Sequence, residues 1–112
     1  MALYPPMLEG LVDENGKLKL YVSQMKDPGQ ASVDPYLGAT PTDRIKLTLK
    51  TKAGIWTEEK LASPNSATSF AIPKSEFVKG LAAGPDASVE YNVSRNSGNS
   101  ETSPPLVIQL VS

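Results

Sequence analysis

The side chains able to do chemistry here are carboxylates, lysines, tyrosines, hydroxyls and one tryptophan, because histidine and cysteine are both absent. Lack of histidine removes the usual general base near neutral pH and the commonest transition-metal ligand. Lack of cysteine excludes disulfides, thiolate nucleophiles, zinc knuckles and iron–sulfur ligation. There is no Gly-x-Ser-x-Gly elbow, and a serine nucleophile would need a lysine partner held beside it in a pocket. Lys74 and Ser75 are only neighbours in sequence, and no glycine-rich phosphate loop occurs. Glu58 and Glu59 are adjacent on a reading of this stretch as a strand. They then point to opposite faces and cannot flank a glycosidic bond. A distant pair such as Asp43 with Glu90 stays open, with no positive feature behind it. Asp13-Glu14-Asn15-Gly16 offers oxygen ligands, but the run stops at Gly16, short of the spacing that a calcium loop needs, and suits a hairpin turn. The expectation is therefore no catalytic residue, no metal and no cofactor.

Trp56 is the residue whose placement most affects function. An exposed tryptophan can stack on a sugar ring, with Tyr36 and Tyr21 as the companions that could complete a carbohydrate-binding platform. The structural alternative is packing across a core or its rim, which is the commoner role of a single tryptophan in a small domain. Asn92-Val93-Ser94 matches the glycosylation triplet but falls within an alternating strand pattern, which accounts for it more simply.

The elements that would position these residues are strands. Leu18, Leu20 and Val22 alternate with Lys17 and Lys19. Ile45, Leu47 and Leu49 alternate with Arg44, Lys46 and Lys50, and Val89, Tyr91 and Val93 do the same within residues 88–94. Period-two alternation marks strands with one buried face. Residues 106–111 are more continuously apolar and read as a strand covered on both faces. Residues 3–8, with Pro5-Pro6, read as an edge strand, since proline cannot donate to a ladder. Shorter candidates span 31–33, 55–57 and 68–72. That makes about seven or eight antiparallel strands, on the order of an immunoglobulin-type sandwich. Turn signals lie at Asn15-Gly16, Asp27-Pro28-Gly29, Ser63-Pro64-Asn65 and Asn96-Ser97-Gly98. One short helical turn is expected near residues 73–81, with Pro73 at its start and Phe77 and Leu81 on one face. The expected core is Leu18, Leu20, Val22, Ile45, Leu47, Leu49, Phe70, Ile72, Val89, Tyr91, Val93, Leu106 and Ile108.

The chain has 112 residues and fits a single β-sandwich domain over 1–112. Its acids exceed its bases by one. The Lys and Arg residues are scattered among acids rather than gathered on one face, so nucleic acid is not an expected partner. No apolar run reaches membrane-spanning length, and residues 1–6 lack the features of a signal peptide.

Taken in order, several segments resemble bacterial immunoglobulin-like repeat modules of large surface-associated or secreted proteins. These are the proline-containing opening Leu3 to Gly10, the Leu-rich Gly16 to Leu20, and Tyr36-Leu37-Gly38 followed by Asp43-Arg44-Ile45-Lys46-Leu47. Phe70-Ala71-Ile72-Pro73, Val89 to Arg95 and Ser103 to Leu106 complete the series. The match departs at Thr42, where such modules often have glycine, and near Leu49 to Thr51, where an aromatic is missing. Tyr91 sits near the position of a tyrosine corner, whose hydroxyl would return to upstream backbone. The resemblance implies an adhesive or structural spacer module without catalytic residues. Its partners would be neighbouring domains of a larger chain or another protein, at an extracellular or cell-surface address. Carbohydrate binding through Trp56, Tyr36 and Tyr21, with glycans as partners, is the alternative.

Overall fold

A hairpin shows most plainly how local sequence sets the course of the chain. Strand β2 (Leu11–Glu14) turns into β3 (Lys17–Tyr21) with Glu14 opposite Lys17, leaving only Asn15 and Gly16 in the turn. Both have positive φ, 56° and 82°. Such a turn matches the twist of paired strands and favours Asn-Gly. The carboxylate of Asp13 accepts the Gly16 N–H at 3.0 Å, so the acid expected to serve the turn does so.

In this computed structural model, residues 3–36, 38–63 and 65–112 are described, and they form a mostly β structure of two open sheets. The small sheet has the order β1 (Met7–Leu8), β4 (Gly29–Val33), β7 (Thr68–Ile72), all antiparallel. The large sheet has the order β2, β3, β10 (Leu106–Val111), β8 (Asp86–Ser94), β5 (Arg44–Thr51), β6 (Gly54–Leu61). Strand β10 runs parallel to β3 and antiparallel to β8.

A further short strand, β9 (Ser100–Thr102), precedes β10 along the same flank of β8. Pro104 and Pro105 interrupt the ladder between them because neither can donate. Ser103 repairs the gap. Its N–H donates to the Tyr91 carbonyl at 2.8 Å, and its Oγ accepts the Tyr91 N–H at 3.0 Å.

Both sheets feed one core. Leu8, Ala31, Val33, Phe70 and Ile72 from the small sheet meet Leu20, Ile45, Leu47, Leu49, Val89, Val93 and Ile108 from the large one, all buried. Helix α1 (Lys74–Ala83) crosses between the sheets and buries Phe77 and Gly80. It is longer than the short turn expected. It stops at Gly84, whose N–H donates to the Gly80 carbonyl at 3.0 Å.

The described residues of connections 34–43, 62–67 and 95–99 gather at one end, the loop end. The β5–β6 turn, α1 and the 3₁₀ turn Val22–Gln24 lie at the other, the helix end. Strand β1 starts towards the loop end, and β10 finishes at the helix end, where the Leu110 N–H donates to the Pro85 carbonyl.

Several expectations need correction. Ten strands occur among the described residues, because β2 and β9 pair at the sheet margins without an apolar face of their own. Strand β6 is longer than residues 55–57, since pairing with β5 carries it through Glu58-Glu59-Lys60. Strand β10 is not covered on both faces: Ile108 and Leu110 are buried while Val107 is 66% exposed. Leu18 and Leu106 pack only partly into the core. Tyr91 is buried, but among the described residues its hydroxyl makes no return to upstream backbone; its backbone is tied to Ser103 instead.

Candidate functional site: the loop end held by Asp43

Asp43 stands one residue before β5 and is buried, with 1% of its surface exposed. A carboxylate there must be compensated, because a buried charge without partners is costly. The loop that precedes it supplies most of the partners. Thr40 donates its hydroxyl to Oδ1 at 2.9 Å and its N–H to Oδ2 at 3.2 Å. The Tyr36 hydroxyl donates to Oδ2 at 2.8 Å. From the end of β8, the Arg95 guanidinium comes to 3.5 Å from Oδ2. Arg95 also donates to the Gly38 carbonyl at 2.8 Å and stacks 5.1 Å from the centre of the Tyr36 ring.

The backbone of Asp43 extends the brace. Its N–H donates to the Thr40 carbonyl at 3.1 Å, and its carbonyl accepts the Ala62 N–H at 2.9 Å, where β6 leads into the connection to β7. Arg95 opens the β8–β9 turn, which is closed by its own N–H donating to the Asn99 carbonyl at 2.7 Å. Side chain and backbone of one residue thereby tie three connections together at the same end of the molecule.

Electrostatics follow from these contacts. Burial pushes the Asp43 carboxyl up. The hydrogen bonds from Tyr36 and Thr40 and the Arg95 charge outweigh it, so the group lies below its ordinary value. Burial, followed by the hydrogen bond and charge of Asp43, drives the Tyr36 phenol far above its ordinary value, against the opposing pull of Arg95. The result is an ionised acid and a protonated phenol locked together across a wide range of pH.

The three aromatics expected to form a sugar platform are not brought together. Tyr36 is half-buried and belongs to the Asp43 cluster. Trp56, on β6, lies directly opposite buried Leu49 and packs against the core on the inner face. Tyr21 follows buried Leu20 on β3, so alternation turns it to the outer face, where its hydroxyl donates to Glu14 at 2.5 Å. Strands β10, β8 and β5 separate β3 from β6, a distance on the order of 19 Å at normal strand spacing. The platform expectation is therefore corrected: strand parity sets Tyr21 and Trp56 on opposite faces.

The open pair Asp43 and Glu90 is also resolved. Glu90 is paired with Lys50 at 2.7 Å, away from the Asp43 partners. Glu58 and Glu59 do diverge, Glu58 towards Lys60 and Glu59 towards Arg44.

Taken singly, Thr40 and Arg95 give no sign of this role in the sequence, where Asp43 enters the chemistry only as the open partner of Glu90. The available signal was the series Tyr36, Gly38, Asp43 and Arg95 quoted above for its order, which converges on this cluster. Comparison with protein-family models, curated proteins and solved structures found no match to the chain. Among the described residues, no helix is long and apolar enough to cross a membrane.

Proposed function

We propose that this chain is an immunoglobulin-like β-sandwich module without a catalytic role, a structural spacer or adhesive unit of a larger bacterial surface or secreted protein. The observation that carries the reading is the course of the chain. Strand β1 starts towards the loop end and β10 leaves at the helix end, so neighbours joined head to tail would string out in line. Strand order supports the immunoglobulin-like assignment. On this reading β1, β4 and β7 would correspond to A, B and E, and β5, β8 and β10 to C, F and G. The bacterial surface setting rests on the sequence resemblance.

Asp43 fits this role as a brace. Its oxygens are committed to Tyr36, Thr40 and Arg95, which leaves it a poor proton carrier and a good anchor for loops. Adhesive contacts with neighbouring domains or another protein would come from the exposed parts of those loops, around Thr42 and Ser97. Two copies joined by a short linker test the reading by small-angle X-ray scattering. An in-line pair has a longest dimension near twice the 42 Å of one module. A compact, folded-back pair would count against the spacer role.

A further inference from the structure

Among the described residues the two sheets end on β1, β7, β2 and β6, with the three-residue β9 as a further margin, and these edges differ in how far they invite another strand. An edge exposes unpaired N–H and C=O groups, which proteins blunt with short strands, proline or charge. Strand β1 is short and follows Pro5-Pro6. Strand β2 spans only Leu11–Glu14. On β7, the Ser69 carbonyl accepts the Lys60 ammonium at 2.8 Å, and that ammonium also lies 5.4 Å from the Phe70 ring centre. Strand β6 carries Glu58-Glu59-Lys60 at its centre but is the longest of these edges. It runs from Gly54 to Leu61 without proline and leaves Ile55 68% and Leu61 58% exposed.

The direction of its backbone groups is fixed by Ala62, whose N–H bonds to Asp43 one step beyond the Arg44–Leu61 pair. Bonded positions alternate along an antiparallel ladder. Trp56, Glu58 and Lys60 therefore bond to β5, and Ile55, Thr57, Glu59 and Leu61 turn their N–H and C=O groups outward.

We propose that β6 is a self-association edge, on which two copies of this chain pair antiparallel about a two-fold axis at Glu58 and join their large sheets. The register follows from complementarity. Centring on Glu58 sets Ile55 of each copy against Leu61 of the other, Thr57 against Glu59, and Trp56 against the stem of Lys60. Centring on Thr57 would set Ile55 against Glu59 and strand Leu61. Centring on Glu59 would oppose the two Glu59 carboxylates and set Ile55 against Ser63.

The chosen register opposes the two Glu58 side chains, but lysines flank them. Lys60 is already 3.7 Å from Glu58 in its own chain, and the other copy's Lys60 becomes the diagonal neighbour, so two carboxylates and two ammoniums alternate. One strand pair is small beside the roughly 1,200 Å² of a stable interface, so the association is weak and driven by concentration.

Sedimentation equilibrium of the intact chain tests this between about 10 µM and 1 mM, a range suited to a small interface. Trp56 emission is followed in the same samples, since the chain has no other tryptophan. The average mass should climb from one chain towards two while Trp56 emission shifts to the blue and acrylamide quenching falls. Thr57→Pro deletes an outward N–H that the fold does not use, and should hold the protein at the mass of one chain with its melting temperature little changed. Ile55→Lys should do the same without altering the backbone. Glu58→Lys replaces the alternating charges with four ammoniums at the axis and should weaken association roughly twofold to fivefold. A single-chain mass throughout would overturn the proposal. So would association that survives both Thr57→Pro and Ile55→Lys, or that leaves Trp56 emission unmoved. Association left unchanged or tightened by Glu58→Lys would overturn the register.

Discussion

At the loop end, a buried carboxylate gathers a phenol, a threonine and a guanidinium, and its backbone reaches a third connection through Ala62. At the helix end, Phe77 is fully buried, and Gly80 passes so close to β5 that an added Cβ would lie 2.7 Å from the Thr51 methyl. One end is held by directed polar contacts around a charge, the other by shape and exclusion of water. The contrast matters because the two kinds of closure respond to different conditions. A polar brace depends on protonation and is costly to leave half-made. Close packing is indifferent to pH but responds to every change of volume. The loop end thus keeps exposed connections in fixed positions, and the helix end supplies a rigid base.

The largest expected effect breaks the packed end. Phe77→Ala should cost about 3–5 kcal/mol by losing a buried ring and leaving a cavity, and the loss should be the same at every pH where the protein folds. Urea unfolding across a pH series measures both. Asp43→Ala should cost about 2–4 kcal/mol, because it leaves the Tyr36 and Thr40 hydroxyls without their acceptor and removes the carboxylate paired with Arg95. Differential scanning calorimetry should register it as a large fall in melting temperature.

Gly80→Ala sharpens the view of the helix end. The new methyl gains helix propensity but meets the β-branched Thr51, so the net cost should be about 1–2 kcal/mol. Pairing it with Thr51→Ser, which removes the methyl but leaves Cβ 2.8 Å from the new group, should recover only part of the loss. Tyr36→Phe should cost about 1 kcal/mol near neutral pH. Its sign in base is set by the raised phenol: the wild-type contribution is complete below pH 10 and is lost as the pH climbs towards the folded value. The gap between wild type and Tyr36→Phe should therefore narrow in strong alkali. Lys60→Ala, which removes an exposed amine from the Ser69 carbonyl, the Phe70 ring and Glu58, should cost less than about 1 kcal/mol.

What the sequence disclosed follows from the same physics. Ile45, Leu47 and Leu49 alternate cleanly with polar neighbours, and β5 occupies Arg44–Thr51. Thr68 to Ile72 was legible for the same reason. Strand β2 was not, because it lies at a sheet margin where neither face is consistently buried. Strand β9 has no apolar residue and is held by its pairing with β8, including the Asn92 amide on the Thr102 hydroxyl at 2.9 Å. Local pattern cannot report such non-local pairing. The Asp43 cluster was hidden more deeply. An aspartate before a strand reads as solvated loop, and its burial depends on Arg95, brought beside it by the pairing of Arg44 with Ser94. The misplaced sugar platform has a related cause. Composition lists aromatics but does not fix their parity, and one residue of register sets Tyr21 and Trp56 on opposite faces.

A charged brace closes one end of the molecule and packing closes the other. Urea stability of wild type, Asp43→Asn and Phe77→Ala, measured from pH 7 into acid, separates the two. Because the Asp43 carboxyl is lowered in the fold, its contribution is present above the ordinary value of 3.8 and is lost as the pH falls below it. The gap between wild type and Asp43→Asn should shrink in that acidic window, while the gap to Phe77→Ala holds steady. A gap to Asp43→Asn that stays constant into acid would contradict the account, because Asp43 would then be acting without its charge.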